Sequence, residues 1–316
     1  MCKVFLKILY ITIVSFLIAC DNRDFPGKQA ETSLVLITKK EGYVKTNSDD
    51  LPEEYEIKNL SIYLAATGSN IIQYKYVHQS FSSTDDPALL GSIMVALPLD
   101  PSTLAMMDIY VIVNCPDLTS LNAIQTVNDI QALRTPAVSA ANILTTTWGL
   151  PMYGESLNTN LSNTSADNPT PVELIRTCSK LQITLIFTDD SWIGTENKYM
   201  IEYLAPYTLY AKNDNLNFDA FELISYPQAD FTWITSQRYQ AVTYVYESMQ
   251  LPRMHIYTTI DGNAKEYIAG SNFPLPVRNY LYDIQVQIHP PLNTKTKLIS
   301  GNSRSPDIKT EITIWE

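Results

Sequence analysis

Basic residues are in short supply: 22 Lys and Arg stand against 33 Asp and Glu, a formal charge of -11 over 316 residues. A surface that acidic repels a nucleic acid backbone, which argues against phosphate-directed binding of DNA or RNA. Histidine is scarcer still. His78, His255 and His289 are the whole set, and none is spaced with a second His on one helix turn or strand face, so a histidine-built zinc site is not expected. The chain has no Walker loop, no G-x-S-x-G, no dinucleotide fingerprint and no cysteine pair at metal spacing. Asp85-Asp86 and Asp189-Asp190 are adjacent carboxylates, but neighbours along a strand point to opposite faces. They therefore read as turn residues and not as an acid and base that converge. No enzyme activity, metal or cofactor is expected.

The chain does carry an export signal. Met1 is followed by Lys3 and Lys7 and then by the uncharged run LYITIVSFLIA, the charged start and short apolar middle of a signal peptide. The run falls short of the about 18 apolar residues that span a bilayer. Its end, Leu17, Ile18 and Ala19 before Cys20, resembles the lipobox of bacterial lipoproteins. That resemblance implies removal of residues 1–19, acylation of Cys20 (palmitate among the acyl chains) and lipid attachment to the outer membrane. Each buried CH₂ of such a chain is worth about 0.8 kcal/mol. Residues 20–31, polar and without periodicity, read as a flexible tether. Two further cysteines, Cys115 and Cys178, sit in or beside apolar strand-like runs. Export permits a disulfide between them, and burial as free thiols is equally common.

Twenty tyrosines, many Val, Ile and Thr and only 10 glycines favour strands over helices. TSLVLIT at 32–38, NLSIYLA, SIMVAL and MDIYVIVN are short, β-branched or aromatic, and bounded by turn residues. One segment differs: in LTSLNAIQTVNDIQALR, Leu121, Ile124, Val127, Ile130 and Leu133 recur about every third residue behind Thr119 or Ser120, which predicts one short helix. After WGLPMYGES, the Asn, Ser, Thr and Pro cluster at 157–173 reads as a loop or connection. Strand patterns resume from VELIRTCSKLQITLIFTD to KTEITIWE. The expected fold is all-β: two sandwiches joined near residue 165, an N-terminal unit over 32–165 and a C-terminal unit over 166–316. Aromatic faces stack on sugars, so Trp148, Trp192 and Trp233 also allow a surface glycan-binding module. A glycoside hydrolase with unrecognised carboxylates is a third class.

Four motifs, in order, carry a family resemblance. They are Pro151, Met152, Gly154 and Glu155; Arg176 and Lys180; Tyr244, Val245 and Glu247; and Arg278, Asn279 and Tyr282. Together they cover most of the chain behind the lipobox, and they resemble the fimbrillin superfamily, the pilin-like lipoprotein subunits and anchors of type V fimbriae. The resemblance implies two transthyretin-like sandwiches and assembly by donor-strand complementation, in which a first strand is lost to a protease and a C-terminal strand of a neighbour fills the groove. It implies other fimbrial subunits as partners, and host surface ligands met through the assembled fimbria. The first strand would then be TSLVLIT, with Leu34 and Leu36, or Val35 and Ile37, facing inward. The donor would be KTEITIWE, with Ile312 and Ile314 on one face beside Trp315. No arginine lies between Arg23 and Arg134, so processing would fall on Lys39 and Lys40, or be absent as suits an anchor. Shaft subunits continue beyond a tryptophan like Trp315, which points instead to a terminal or accessory subunit.

Overall fold

The computed structural model describes residues 32–37, 54–80, 92–138, 148–211, 218, 222–269, 273–290 and 307–314. Cys20, the tether, Lys39, Lys40, Asp85, Asp86 and Trp315 lie outside that set. Regular structure among the described residues is mostly strand, 58% against 7% helix, and no helix among them is long and apolar enough to cross a membrane.

Seven strands up to residue 176 form one sheet: β1 Thr32–Ile37, β2 Asn59–Ala66, β3 Ile72–Ser80, β4 Ser92–Leu97, β5 Met106–Val113, β6 Met152–Asn160 and β7 Thr170–Arg176, in the order β3-β2-β5-β6-β7-β1-β4. The sheet folds over at β7. Leu174 to Arg176 pair antiparallel with β6, whereas Thr170 to Glu173 run parallel to β1. Leu34, Leu36, Val95, Leu97 and Val172 consequently share one buried core with Leu60, Ile62, Leu64, Ile109 and Val111. The fold-over explains Gly154: a Cβ there would sit 2.7 Å from the Glu173 carbonyl and 2.8 Å from Leu174 Cδ2.

The continuous apolar runs of β2 and β5 are buried on both faces. Their second face, with Tyr63, Ala65, Tyr110 and Ile112, packs against Leu121, Ile124, Val127, Ile130 and Leu133 and against Tyr210. Leu121, Val127 and Ile130 lie on two helices and not on one continuous helix, with Ile124 and Leu133 at their C-caps: α1 Leu118–Ala123 is capped at its start by Asp117, and α2 Val127–Ala132 by Thr126. Thr126 and Asp129 form a capping box. It satisfies the free N–H groups of a new helix and so stops the first one where the apolar period alone would let it continue.

The chain changes sheet at Thr177. β8 Cys178–Phe187, β12 Arg238–Tyr246, β15 Tyr280–Ile288 and the flanking strands β11 Thr232–Thr235 and β16 Asp307–Ile314 form a five-stranded sheet ordered β11-β12-β8-β15-β16. β9 Thr195–Leu204, β10 Ile224–Asp230, β13 Arg253–Ile260 and β14 Asn263–Ala269 form a four-stranded one ordered β10-β9-β13-β14. Leu181, Ile183, Leu185, Tyr282, Ile284 and Val286 of the first share a core with Tyr199, Ile201, Met254 and Ile256 of the second, a sandwich-like packing. Cys115 and Cys178 are buried free thiols.

Candidate assembly site and the buried clamp beside it

β1 is an interior strand. It pairs antiparallel with all six residues of β4 and parallel, through four residues, with β7. Of the two alternate sets of side chains, Thr32, Leu34 and Leu36 point inward and are fully buried, while Val35 and Ile37 are only half-buried. Burial of the two leucines is worth about 1.5–3 kcal/mol each. Withdrawing this strand would leave a slot with an unpaired ladder on each side and an apolar floor between.

β16 is held differently. Its eight residues pair with β15 on one side, and on the other it is the edge of its sheet among the described residues. Ile314, Ile312 and Thr310 stand in register with Tyr280, Tyr282 and Ile284. The sequence T-E-I-T-I from Thr310 has the same alternation as T-S-L-V-L from Thr32. A strand of that pattern meets the requirement of the β1 slot, a small hydroxyl residue and two aliphatics at every second position.

Residues of the four sequence motifs form buried polar clusters that tie the two halves of the chain together. Lys180 on β8 and Tyr244 on β12 stand opposite one another in register, and both reach Glu54. Lys180 Nζ lies 2.8 Å from Glu54 Oε1 with both side chains buried, the Tyr244 hydroxyl donates to the same oxygen, and Arg176 Nε donates to the Glu54 carbonyl at 3.2 Å. The Arg176 guanidinium lies over the Tyr55 ring at 4.6 Å. Sequence reasoning had Arg176, Lys180 and Tyr244 but missed Glu54. The available signal was a lysine within the apolar run C-S-K-L-Q-I-T-L, since a charge buried there requires a carboxylate partner.

A second cluster is built on Arg278. Its Nε donates to Glu247 Oε1 at 2.9 Å, Nη1 to the Tyr210 carbonyl at 2.7 Å and Nη2 to the Leu209 carbonyl at 2.9 Å, and Nη2 also meets Glu247. Asn279 takes a left-handed φ of 58°, which asparagine tolerates. That turn lets its N–H reach the Cys178 carbonyl at 2.8 Å and its Oδ1 accept from the Arg176 N–H at 3.3 Å. Tyr282 closes the approach to β15, donating to the Leu275 carbonyl and accepting from the Val277 N–H. Earlier in the chain the Pro151 carbonyl accepts from the Thr177 N–H and hydroxyl, and Glu155 accepts from the Tyr153 hydroxyl.

Burial, with the Glu54 carboxylate beside it, pushes the Tyr244 hydroxyl well above the ordinary tyrosine range. Burial alone is the largest cause for Tyr63, Tyr210, Tyr226 and Tyr246. It also drives the Cys178 thiol up to about 12. Near neutral pH these groups are therefore protonated and uncharged.

Of the remaining sequence candidates, Asp189 accepts from the Ser191 N–H and hydroxyl at 2.8 and 2.6 Å, a turn residue. His255 sits between Glu202 and Glu266 at 2.9 and 2.8 Å on the four-stranded sheet. Trp192 packs partly against the core, Trp148 is half-buried, and Trp233 on β11 is 64% exposed.

No protein-family model and no curated protein matches this chain. Solved structures do. A candidate cell adhesion protein of Parabacteroides distasonis aligns over 91% of this chain and 97% of its own, with TM-score 0.64 at 15% identity. The tip fimbrial protein Mfa3 of Porphyromonas gingivalis, solved with a C-terminal truncation, aligns over 90% and 100%, with TM-score 0.54 at 12% identity. A fimbrial assembly protein of Parabacteroides distasonis covers 90% and 98%, with TM-score 0.51 at 16% identity. The fold is therefore that of Bacteroidales fimbrial and adhesion proteins. At the level of the fold this agrees with the resemblance that the four motifs carry.

Proposed function

We propose that this chain is a structural subunit of a cell-surface fimbria, in an anchor, shaft or accessory position, and supports adhesion without catalysis. It is held at the outer membrane by lipid on Cys20 and joined to other fimbrial subunits by β-strand complementation. In this reading the two halves of the chain act as two transthyretin-like units. The observation that carries it is the inequality of the two terminal strands. β1 fills a slot with a ladder on each side, whereas β16, which carries the same alternation, is held on one side alone among the described residues. A strand of the β16 pattern gains a second ladder by moving into a vacated slot on another subunit, so exchange is downhill once β1 has left. Lys39 and Lys40 offer the cut that frees β1. The fimbrial and adhesive roles named for the structures of like fold support the same reading.

Assembly is tested by mixing copies cut between β1 and Glu54 with intact copies and running them unboiled on a denaturing gel. Ladders that vanish when residues 309–316 are deleted are expected, and a solitary band in every mixture contradicts strand exchange. Mass spectrometry of protein sheared from cells tests the anchor: acylated Cys20 is expected at the N-terminus, and unmodified Cys20 removes the lipid from the account.

One observation favours a second use of the surface. Trp233 and Ile234 are exposed side by side on the edge strand β11, and an exposed indole can stack on a sugar face. Glycan binding by the monomer, lost on Trp233→Ala, would establish it.

A further inference from the structure

Residues 54–58 precede β2 and belong to no strand, yet they are fixed at nearly every step by side chains from distant parts of the chain. The Glu54 carboxylate is held by Lys180 and Tyr244 and its carbonyl by Arg176. Asn114, in a left-handed conformation with φ 59°, donates from Nδ2 to the Glu56 carbonyl at 2.8 Å and accepts at Oδ1 from the Lys58 N–H at 2.8 Å. Ile57 is buried in the common core. The anchors come from β7, β8 and β12 and from the end of β5, so the stretch is tied to both halves of the molecule.

We propose that the Glu54 clamp sets the downstream limit of what processing can remove. The segment through residue 53 can leave with β1, while the body from Glu54 onward stays closed and keeps its two halves in register around the empty slot. The proposal rests on the fimbrial reading and adds to it a defined boundary. Without such a boundary, release of β1 would loosen β2 and the floor of the groove that a guest strand needs. The buried pair that Lys180 makes with Glu54 at 2.8 Å is costly to break, and that cost keeps Glu54 in place.

The test is digestion of the full chain with an added lysine-specific protease, which hydrolyses the peptide bond after each accessible lysine with uptake of water, followed by mass spectrometry over time. Cleavage after Lys39, Lys40 or Lys45 is expected early, and cleavage after Lys58 at least tenfold more slowly. Glu54→Gln takes the carboxylate charge away from the buried Lys180 and is expected to raise the Lys58 rate at least tenfold with no change at Lys265 on β14. Tyr244→Phe keeps the ring and the ion pair, serves if the first variant fails to fold, and is expected to raise the Lys58 rate several-fold. The proposal is overturned if Lys58 is cut in the unaltered chain as fast as the upstream lysines. It is equally overturned if neither variant changes the Lys58 rate, or if both raise Lys58 and Lys265 together as general loosening would. A body that holds at Glu54 yet never accepts a guest strand would leave the clamp standing and refute the strand-exchange reading instead.

Discussion

Arg278 is 4% exposed and spends its guanidinium on Glu247 and on two carbonyls of the 209–210 stretch, which in turn packs on the helices beside the first sheet. Removing one partner of a buried pair costs about 3–5 kcal/mol because the other charge is left uncompensated. Arg278→Met should therefore lower stability by about that amount in denaturant titration, and a loss below 1 kcal/mol would show the cluster to be ornamental. At Gly154, an added methyl meets backbone instead of a pliable side chain. Gly154→Ala should cost about 1–3 kcal/mol, as overpacking does, read as a fall in denaturation midpoint at unchanged slope. The residue scale is also where the sequence was most informative and most silent. All four motifs were visible as residue types at a spacing, yet their meeting place was not. It is completed by Glu54, which lies 122 residues from Arg176 and 190 from Tyr244, and no local pattern encodes a partner at that distance.

Among elements, the strands were legible because alternation and β-branched runs report burial directly. TSLVLI left its inward set open between two choices, and the structure selects Leu34 and Leu36 because these face the floor built from β2 and β5. The single helix expected from the apolar period became two because capping chemistry at Thr126 outranks periodicity. The change of sheet at Thr177 was hidden inside the run V-E-L-I-R-T-C-S-K-L, whose composition is uniform across it, while the loop-like cluster at 157–173 drew attention to itself by its Asn and Ser content. Leu34→Ala deletes buried methyl groups in an interior strand. It should destabilise by about 2–5 kcal/mol, measured by thermal or denaturant unfolding, whereas Val35→Ala on the half-buried face should cost less than half as much.

For the whole molecule, the buried tyrosines predict how it fails at high pH. Their pKa values in the folded state lie above the ordinary value of 10. Below pH 10 both folded and unfolded chains keep these hydroxyls protonated, and the stability they confer is fully present. Above it the unfolded chain releases protons that the folded chain retains, so stability falls as pH rises. Tyrosinate absorbance should climb in a cooperative step above about pH 10, coincident with loss of the near-ultraviolet circular dichroism. A gradual rise of all 20 tyrosines with the fold intact would contradict the burial. In the proposed assembly, a polar clamp that fixes the two halves would let such a body stay closed while β1 leaves it and a neighbour's strand takes its place.

The measurement that bears most directly on that claim is a crosslink between copies. One copy carries Val95→Cys on β4, opposite Leu34, and is cut upstream of Glu54 to release β1; the other carries Ile312→Cys on β16. If β16 of one subunit occupies the slot of another in the Thr310-to-Thr32 register, mild oxidation should give a disulfide joining positions 95 and 312 of different copies, seen by mass spectrometry of the digest. Recovery of both copies unlinked, with the cut copy unchanged in stability by its partner, would contradict the account.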